Sequence, residues 1–136
     1  MMTPNKPILL VEDDQVDVMT TRRALKELRI DNPLVVCEHG EDALDYLRRA
    51  HDLPCIVLLD INMPVMDGIE FLREVKRDAR LRRIPAVVLT TSEEQGDRDR
   101  SFDLGAVGFM PKPPAYRRFV EVLHSIDRYW TLSGPP

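Results

Sequence analysis

Five short apolar runs, separated by longer mixed segments, limit most strongly how this chain can fold. Their residues are almost all apolar and do not alternate with polar ones, which is typical of strands covered on both faces. Such strands occur in parallel sheets, whose crossover helices cover both sides. The runs therefore predict a parallel sheet with strands at residues 8–11, 34–37, 56–59, 86–89 and 107–110.

The segments between these runs have apolar residues at helical spacing. After the fifth run, Pro114 is suited to the first position of a final helix. The predicted buried stripes consist of Val18, Thr21, Leu25 and Leu28, then Ala43, Leu44 and Leu47, then Leu72, Val75 and Ala79, and finally Phe119, Leu123, Ile126 and Trp130.

The segment at residues 93–104 differs from the other predicted helices. It is charged almost throughout, contains Gly96, and offers only Phe102 and Leu104 for burial. We expect it to be the most loosely packed helix.

Alternating strands and helices predict an α/β fold with a doubly wound parallel sheet and right-handed connections. A chain of 136 residues suits one hydrophobic core and leaves no room for a second domain. We expect one domain over residues 1–136, with its core at about 7–130 and a short C-terminal tail at 131–136.

Charge and hydropathy exclude several classes of function. The chain has 19 Lys and Arg against 23 Asp and Glu, so its net charge of -4 gives no basic surface for nucleic acid. No apolar run approaches the roughly 18 residues that cross a bilayer, and the N-terminus lacks the apolar core of a signal peptide. We therefore expect a cytoplasmic protein with no membrane partner. Cys37 and Cys55 lie in apolar runs and are expected to be buried and reduced.

Polar residues follow four of the five predicted strands. In open α/β sheets the ligand site lies beyond the carboxyl ends of the strands. The residues expected at this edge are Glu12, Asp13 and Asp14 after the first strand, Asp60 after the third, Thr90, Thr91 and Ser92 after the fourth, and Lys112 after the fifth.

A cluster of acidic groups at one edge favours a bound cation. Ionised carboxylates about 4 Å apart repel each other by roughly 4 kcal/mol at an effective dielectric of about 20. Such a cluster either holds protons more tightly or binds a cation, for which Mg²⁺ is the natural choice because it takes oxygen ligands and leaves positions for phosphate. With Lys112 and a hydroxyl nearby, the edge suits phosphoryl transfer to an aspartate.

From Pro7 to Tyr129 the chain resembles the receiver domain of bacterial two-component response regulators. The resemblance rests on Glu12-Asp13 after the first strand, on "DINMPVMDG" beginning at Asp60, on Thr90, and on Lys112 within "KPP". It implies the flavodoxin-like strand order 2-1-3-4-5.

The resemblance implies a phosphoacceptor and a metal site. Asp60 would accept the phosphoryl group. Asp13, Asp60 and the backbone carbonyl of Asn62 would bind Mg²⁺ directly, and Glu12 would bind it through a water molecule. The neighbouring Asp14 is better explained as the N-cap of the first helix, with Asp17 three residues later.

The resemblance also implies catalytic and switch residues. Lys112 would stabilise the charge of the phosphoryl group, and Thr90 would donate its hydroxyl to that group once it is bound. The hydroxyl of Thr91, one position on, is an alternative donor, and this side chain would also narrow the path to Asp60. Phe109 stands where the family has a switch aromatic residue, and an ordinary core position explains it equally well.

The implied function is a phosphorylation-dependent response regulator. A histidine kinase would donate the phosphoryl group, and the chain would assist its own phosphorylation and dephosphorylation without being an enzyme. A step in a multistep phosphorelay is an alternative. Because no further domain follows Trp130, the output is expected to pass through another protein.

Two other classes of function fit less well. A Mg²⁺-dependent phosphatase of the haloacid dehalogenase type would have a second aspartate where Asn62 stands. A receiver that only binds partners, without phosphorylation, would lack one of the four residues Asp13, Asp60, Thr90 and Lys112, all of which are present.

The closing sequence "SIDRYWTLSGPP" resembles the small regulators paired with bacterial phytochromes. This resemblance implies a phytochrome-type kinase as partner and a homodimer. Tyr129 and Trp130 are expected at the end of the last helix, before an extended tail, where such aromatic residues are typical interface anchors. Packing of Trp130 on its own sheet is the alternative.

Overall fold

The computed structural model describes residues 6–60, 68–90, 99, 101–111 and 115–133, with the backbone alone for Thr90, Pro111 and residues 129–133. Its strands are β1 (Ile8–Val11), β2 (Leu34–Cys37), β3 (Ile56–Leu59), β4 (Ala86–Thr90) and β5 (Gly108–Pro111). Its helices with defined bounds are α1 (Gln15–Glu27), α2 (Gly40–Arg49), α3 (Gly68–Arg77) and α4 (Tyr116–Ser133). A 3-10 turn covers Leu81–Arg83.

All strand pairs are parallel, in the order β2-β1-β3-β4-β5. The predicted doubly wound sheet and its strand order are therefore confirmed. Three of the predicted strands match residue for residue, β4 extends one residue further to Thr90, and β5 lies one residue later than expected.

The core consists of two apolar clusters, one on each face of the sheet. Alternate strand residues supply each cluster, which explains why the strand sequences are almost continuously apolar. One cluster joins Leu9, Val11, Val57, Leu59 and Val88 to α2 and α3, and the other joins Ile8, Leu10, Ile56, Leu58 and Val87 to α1 and α4. The edge strand β2 is only half-buried along its length.

Asp14 forms the N-cap of α1, as the sequence predicted. Its carboxylate accepts hydrogen bonds from the backbone N–H groups of Val16 at 2.8 Å and Asp17 at 3.3 Å. These donors have no partner within the helix, so the cap fixes where α1 begins.

The buried stripe predicted for α3 included Ala79, which lies beyond the end of the helix. The helix ends at Arg77, and Ala79 is exposed instead of packed on the sheet. Asp78 redirects the chain because its carboxylate accepts from the N–H groups of Arg80 at 2.8 Å and Leu81 at 3.2 Å. It is Leu81, in the following 3-10 turn, that is buried.

Most of the segment at 93–104 lies outside the described residues, which are helical at 99 and 101–103. The expectation that Phe102 is buried was wrong, since 42% of it is exposed. Ser101 and Ala106 are buried instead, and Ala106 donates its N–H to the carbonyl of Ser101. Gly105 ends this helix at a φ of 94°, a conformation that glycine adopts without strain.

The last helix, α4, buries Phe119, Leu123 and Ile126 as predicted. The helix continues to Ser133, so the first three residues of the expected tail are helical and Trp130 is not at the helix end. The side chain of Trp130 and the predicted helix opening at Pro114 lie outside the described residues.

Cys37 and Cys55 are free thiols, as expected, but each is half-buried where full burial was predicted. Burial is the main reason why the pKa of each thiol is raised. No helix in the described residues is long and apolar enough to cross a membrane.

Replacing Asp14 with Ala is expected to destabilise the fold by about 1 kcal/mol, because two backbone donors lose their acceptor. For a domain of this size the loss lowers the melting temperature by about 3 °C. Thermal unfolding followed by circular dichroism measures it. Asp14→Asn keeps an acceptor oxygen and should recover most of the loss, while Asp45→Ala, exposed within α2, controls for the charge change. An Asp14→Ala protein as stable as the original would contradict the capping role.

Candidate functional site

The site begins where β1 and β3 end side by side. Val11 is paired with Leu59 in the sheet, and the next residue, Asp60, donates its N–H to the carbonyl of Val11 at 3.1 Å. On the other side of β1, Glu12 donates its N–H to the carbonyl of Cys37 at 3.0 Å. Backbone pairing thus extends one residue beyond both strands and holds Glu12 and Asp60 at the same edge.

Glu12, Asp13 and Asp60 form a cluster of three carboxylates. One oxygen from each lies within 4.8 Å of those of the other two. Glu12 is 2% exposed, whereas Asp13 and Asp60 are half-buried and therefore reachable from solvent. Ionised carboxylates no further apart than this repel each other by at least about 3.5 kcal/mol per pair at an effective dielectric of about 20.

The donor set of this cluster fits a hard divalent cation. Mg²⁺ and similar ions take carboxylate oxygens and retain positions for other oxygen ligands. The partial exposure of Asp13 and Asp60 leaves room for those ligands. Asp14, the next residue, is the N-cap of α1 and is not one of the three clustered carboxylates.

The backbone brings the other predicted strand ends to the same edge. Thr90 is the last residue of β4 and is paired with Pro111, the last residue of β5. Lys112 follows Pro111 in the sequence, but Lys112, Asn62 and Thr91 lie outside the described residues, as does the side chain of Thr90.

Phe109 is half-buried and packs against the core cluster on the α2 and α3 face. A core contribution is therefore established for this ring. Partial exposure also leaves one side of it in contact with solvent.

A cavity of about 670 Å³ lies between α1 and α4 and includes Glu12 and Asp60 in its lining. We call it the α1–α4 cavity. The remaining lining residues include Val16, Met19, Thr20, Arg23, Leu89, Tyr116 and Phe119. This cavity was not predicted from the sequence, although Val16 and Met19 were a signal for it, because they are apolar residues outside the buried stripe of α1. Both are more than two-thirds exposed, at 69% and 68%.

Tyr116 links α4 to α1 beside this cavity. Its hydroxyl donates to a carboxylate oxygen of Glu27 at 2.7 Å, and the guanidinium carbon of Arg23 lies 4.2 Å from the ring centroid. Loss of hydration, followed by the hydrogen bond to Glu27, raises the pKa of Tyr116. The tyrosine therefore remains a neutral donor at physiological pH.

Comparison with known proteins identifies the class of this fold and site. Residues 8–124 match the model of the response regulator receiver domain. The chain belongs to this family, whose members act in two-component signalling. Receiver domains bind divalent metal ions, pair with histidine kinases and are generally signalling domains that are not enzymes.

Among individual proteins, the chain is 38% identical over 127 residues to the probable methanogenesis regulatory protein FilR2 of Methanothrix harundinacea, covering 90% of this chain and 82% of that protein. Response regulator Rcp1 of Synechocystis is 34% identical over 132 residues, covering 93% of this chain and 90% of Rcp1.

A similar solved structure is that of the phosphorylated cyanobacterial phytochrome response regulator RcpA. It is 32% identical, with a TM-score of 0.88 and 96% of each chain covered. Similarity to phytochrome-associated regulators thus extends from the sequence to the fold.

Replacing Asp13 with Asn is expected to weaken Mg²⁺ binding by at least about tenfold, because one carboxylate charge leaves the cluster. Isothermal titration calorimetry with Mg²⁺ measures the change.

The matched control is Asp14→Asn. It makes the same chemical change one residue along, at an exposed capping carboxylate, and should alter Mg²⁺ affinity by less than about threefold. Equal losses in the two variants would show a general effect of local charge and would contradict the assignment of Asp13.

Proposed function

We propose that this chain accepts a phosphoryl group from a histidine kinase on Asp60, in a Mg²⁺-dependent reaction. The observation that carries the proposal is the cluster of Glu12, Asp13 and Asp60 at the carboxyl edge of the sheet, in a chain that belongs to the receiver family. A half-buried Asp60 supports the role of acceptor, because its carboxylate can meet a donor that approaches from solvent.

In this reaction a carboxylate oxygen of Asp60 forms a bond to phosphorus while the bond from phosphorus to the kinase histidine nitrogen breaks. The histidine keeps the electron pair of that bond. Asp13, Asp60 and the backbone carbonyl of Asn62 would hold Mg²⁺ directly, and Glu12 would hold it through a water molecule; the ion would supply positive charge for the phosphoryl oxygens. Lys112, the residue after Pro111 in the sequence, would contribute a second positive charge.

Phosphorylation then signals through a conformational change. Thr90 donates its hydroxyl to the new phosphoryl group, and Phe109 changes its packing in response. This part of the proposal is supported by the pairing of Thr90 with Pro111, since Phe109 lies two residues before Pro111 in β5. A movement at Thr90 is thereby linked through the backbone to the strand that contains the ring.

The proposed partner is a phytochrome-type histidine kinase, which is supported by similarity to the phytochrome response regulator RcpA. The signal passes from this chain to a downstream protein or phosphotransfer partner. The proposed location is the cytoplasm, where ATP is available to the kinase, and the protein is proposed to make no contact with nucleic acid.

We also propose that residues 1–136 form a single receiver domain that pairs as a homodimer through its C-terminal region. Tyr129 and Trp130 are the proposed anchors, because large aromatic residues dominate many interfaces. The length of α4 supports this arrangement, since the helix continues for three residues beyond Trp130 and gives a partner helix more surface to contact.

Asp60→Asn is expected to abolish phosphorylation, because the amide keeps the shape of the side chain but is not a nucleophile. Incubation with a phosphorylated histidine kinase and Mg²⁺, followed by intact-protein mass spectrometry, measures the label. Asp52→Asn, at an exposed position, should be labelled normally. Undiminished acid-labile label on the Asp60→Asn protein would exclude Asp60 as the acceptor.

The double substitution Tyr129→Ser and Trp130→Ser is expected to convert the dimer to a monomer. Light scattering at tens of micromolar protein measures the molecular mass. Phe102→Ser, which removes an exposed aromatic residue elsewhere, is the control and should remain dimeric. A monomeric unsubstituted protein, or a dimer that persists in the double variant, would contradict the proposed interface.

A further inference from the structure

Basic residues are concentrated at the end of α3 and in the 3-10 turn that follows it. Residues 73–83 contain six Lys and Arg against two Asp and Glu, a net charge of +4. The whole chain has a net charge of -4, so the residues outside this segment carry -8. All six basic residues of the segment are exposed: Arg73, Lys76, Arg77, Arg80, Arg82 and Arg83.

Arg80 connects this segment to the end of α2. Its guanidinium donates hydrogen bonds to the carbonyl oxygen of Leu47 at 3.3 Å and to that of Ala50. Strand β4 begins at Ala86, three residues after the 3-10 turn ends, so the segment lies at the edge where the strands begin. Both α2 and α3 end at this amino edge, because each returns from the carboxyl end of a strand. The carboxylate cluster lies at the opposite edge.

The two acidic residues of the segment are engaged within the chain. The carboxylate of Glu74 lies 3.1 Å from a guanidinium nitrogen of Arg77 and 3.8 Å from one of Arg48. The carboxylate of Asp78 accepts hydrogen bonds from backbone N–H groups of the turn. We call the exposed arginines that these contacts gather at the amino edge the basic surface: Arg48, Arg77, Arg80, Arg82 and Arg83.

Helix dipoles explain only part of the basic surface. A basic side chain in the last turn of a helix is stabilised by the helix dipole, which accounts for Arg48 in α2 and Arg77 in α3. Arg82 and Arg83 lie beyond α3, in a turn of only three residues that has a small dipole. Their positive charges repel each other, and an anionic partner would relieve this repulsion.

The chemistry of the basic surface favours the carboxylates of a short segment. Arginine binds carboxylates through paired N–H groups, and the contact of Glu74 with Arg48 and Arg77 is an example within the chain. At physiological ionic strength, charges interact over about 8 Å. A short acidic segment therefore experiences the basic surface alone. A DNA duplex or an anionic membrane would also face the acidic remainder of the molecule, which would repel it.

We propose that the basic surface docks an acidic segment of a partner protein, at the edge of the sheet opposite Asp60. The inference goes beyond the proposed phosphoryl transfer, and neither depends on the other. A partner held at the amino edge leaves the approach to Asp60 open. The chain can therefore stay attached to this partner while a kinase phosphorylates it.

Fluorescence anisotropy of a labelled hexaglutamate peptide, titrated with the full chain, tests the proposal. We expect saturable binding in about 0.1 M salt, and binding at least about tenfold weaker for hexaglutamine, which has the same length without the charge. Salt of about 1 M shortens the range of charge interactions to about 3 Å and is expected to weaken hexaglutamate binding at least about tenfold. Equal binding of the two peptides would overturn the inference.

A matched pair of double variants locates the peptide. Arg82→Ser with Arg83→Ser is expected to weaken hexaglutamate binding about tenfold, because two exposed charge pairs are lost. Arg117→Ser with Arg118→Ser also removes two adjacent exposed arginines, from the first turn of α4, and should change binding by less than about threefold. Equal losses in the two variants would show a response to net charge alone and would overturn the assignment to the basic surface.

Competition separates an acidic protein segment from other anions. Phosphatidylglycerol vesicles and a short DNA duplex, each supplied at the same concentration of negative charge, are expected to displace labelled hexaglutamate less effectively than unlabelled hexaglutamate does. More effective displacement by either one would overturn the choice of partner.

The proposed function is tested separately on the same proteins. The variant with Arg82→Ser and Arg83→Ser is expected to be labelled on Asp60 by a phosphorylated kinase at an unchanged rate, since both substitutions lie at the other edge of the sheet. An unsubstituted protein that is labelled but does not bind hexaglutamate would overturn this inference alone. One that binds hexaglutamate but is not labelled would overturn the proposed function alone.

Discussion

The parallel pairing of β1 with β3 is the constraint on which the site depends. Val11 and Leu59 are paired, and the hydrogen bond from Asp60 to Val11 extends this pairing to the first polar residue. A one-residue slip would turn every side chain of a strand to the opposite face of the sheet. Leu58 and Leu59, for example, would each leave its own apolar cluster and point into the other one. Because the core strongly opposes such a slip, the same apolar packing that stabilises the sheet also holds Glu12 and Asp60 together.

This arrangement explains how the chain tolerates three carboxylates in one place. Their mutual repulsion opposes folding unless a cation or proton compensates for it. The strands that end at these carboxylates, β1 and β3, are almost completely buried on both faces. The free energy gained by burying their apolar side chains offsets the repulsion between the carboxylates. A site of this kind is placed at the edge of a strong core, where backbone pairing ends and solvent can still reach Asp13 and Asp60.

Sequence patterns predicted the strands well because burial on both faces leaves a continuous apolar run. Helix ends were predicted less well: the choice between continuing α3 and turning at Asp78 depends on a local hydrogen bond to the N–H of Arg80. The burial of Ser101 in place of Phe102 likewise follows from the direction in which one helical turn faces. Among the site residues, the grouping of Glu12, Asp13 and Asp60 could be predicted, since strand ends of a parallel sheet meet at one edge. The α1–α4 cavity could not, because its shape depends on the distance between two helices far apart in sequence.

Helix α1 contacts the core, the carboxylate cluster and α4 through different parts of its surface. Its buried side, including Val18 and Leu25, fixes the helix on the sheet, while the cap at Asp14 sets its first turn directly after the acidic pair. Its opposite side keeps Val16 and Met19 accessible beside Asp60, and its later turns contact Tyr116 of α4 through Arg23 and Glu27. A helix fixed at one end by a cap and along one side by the core presents the rest of its surface in a constant position. The approach to Asp60 is therefore determined by the packing of α1 as much as by the carboxylate cluster itself.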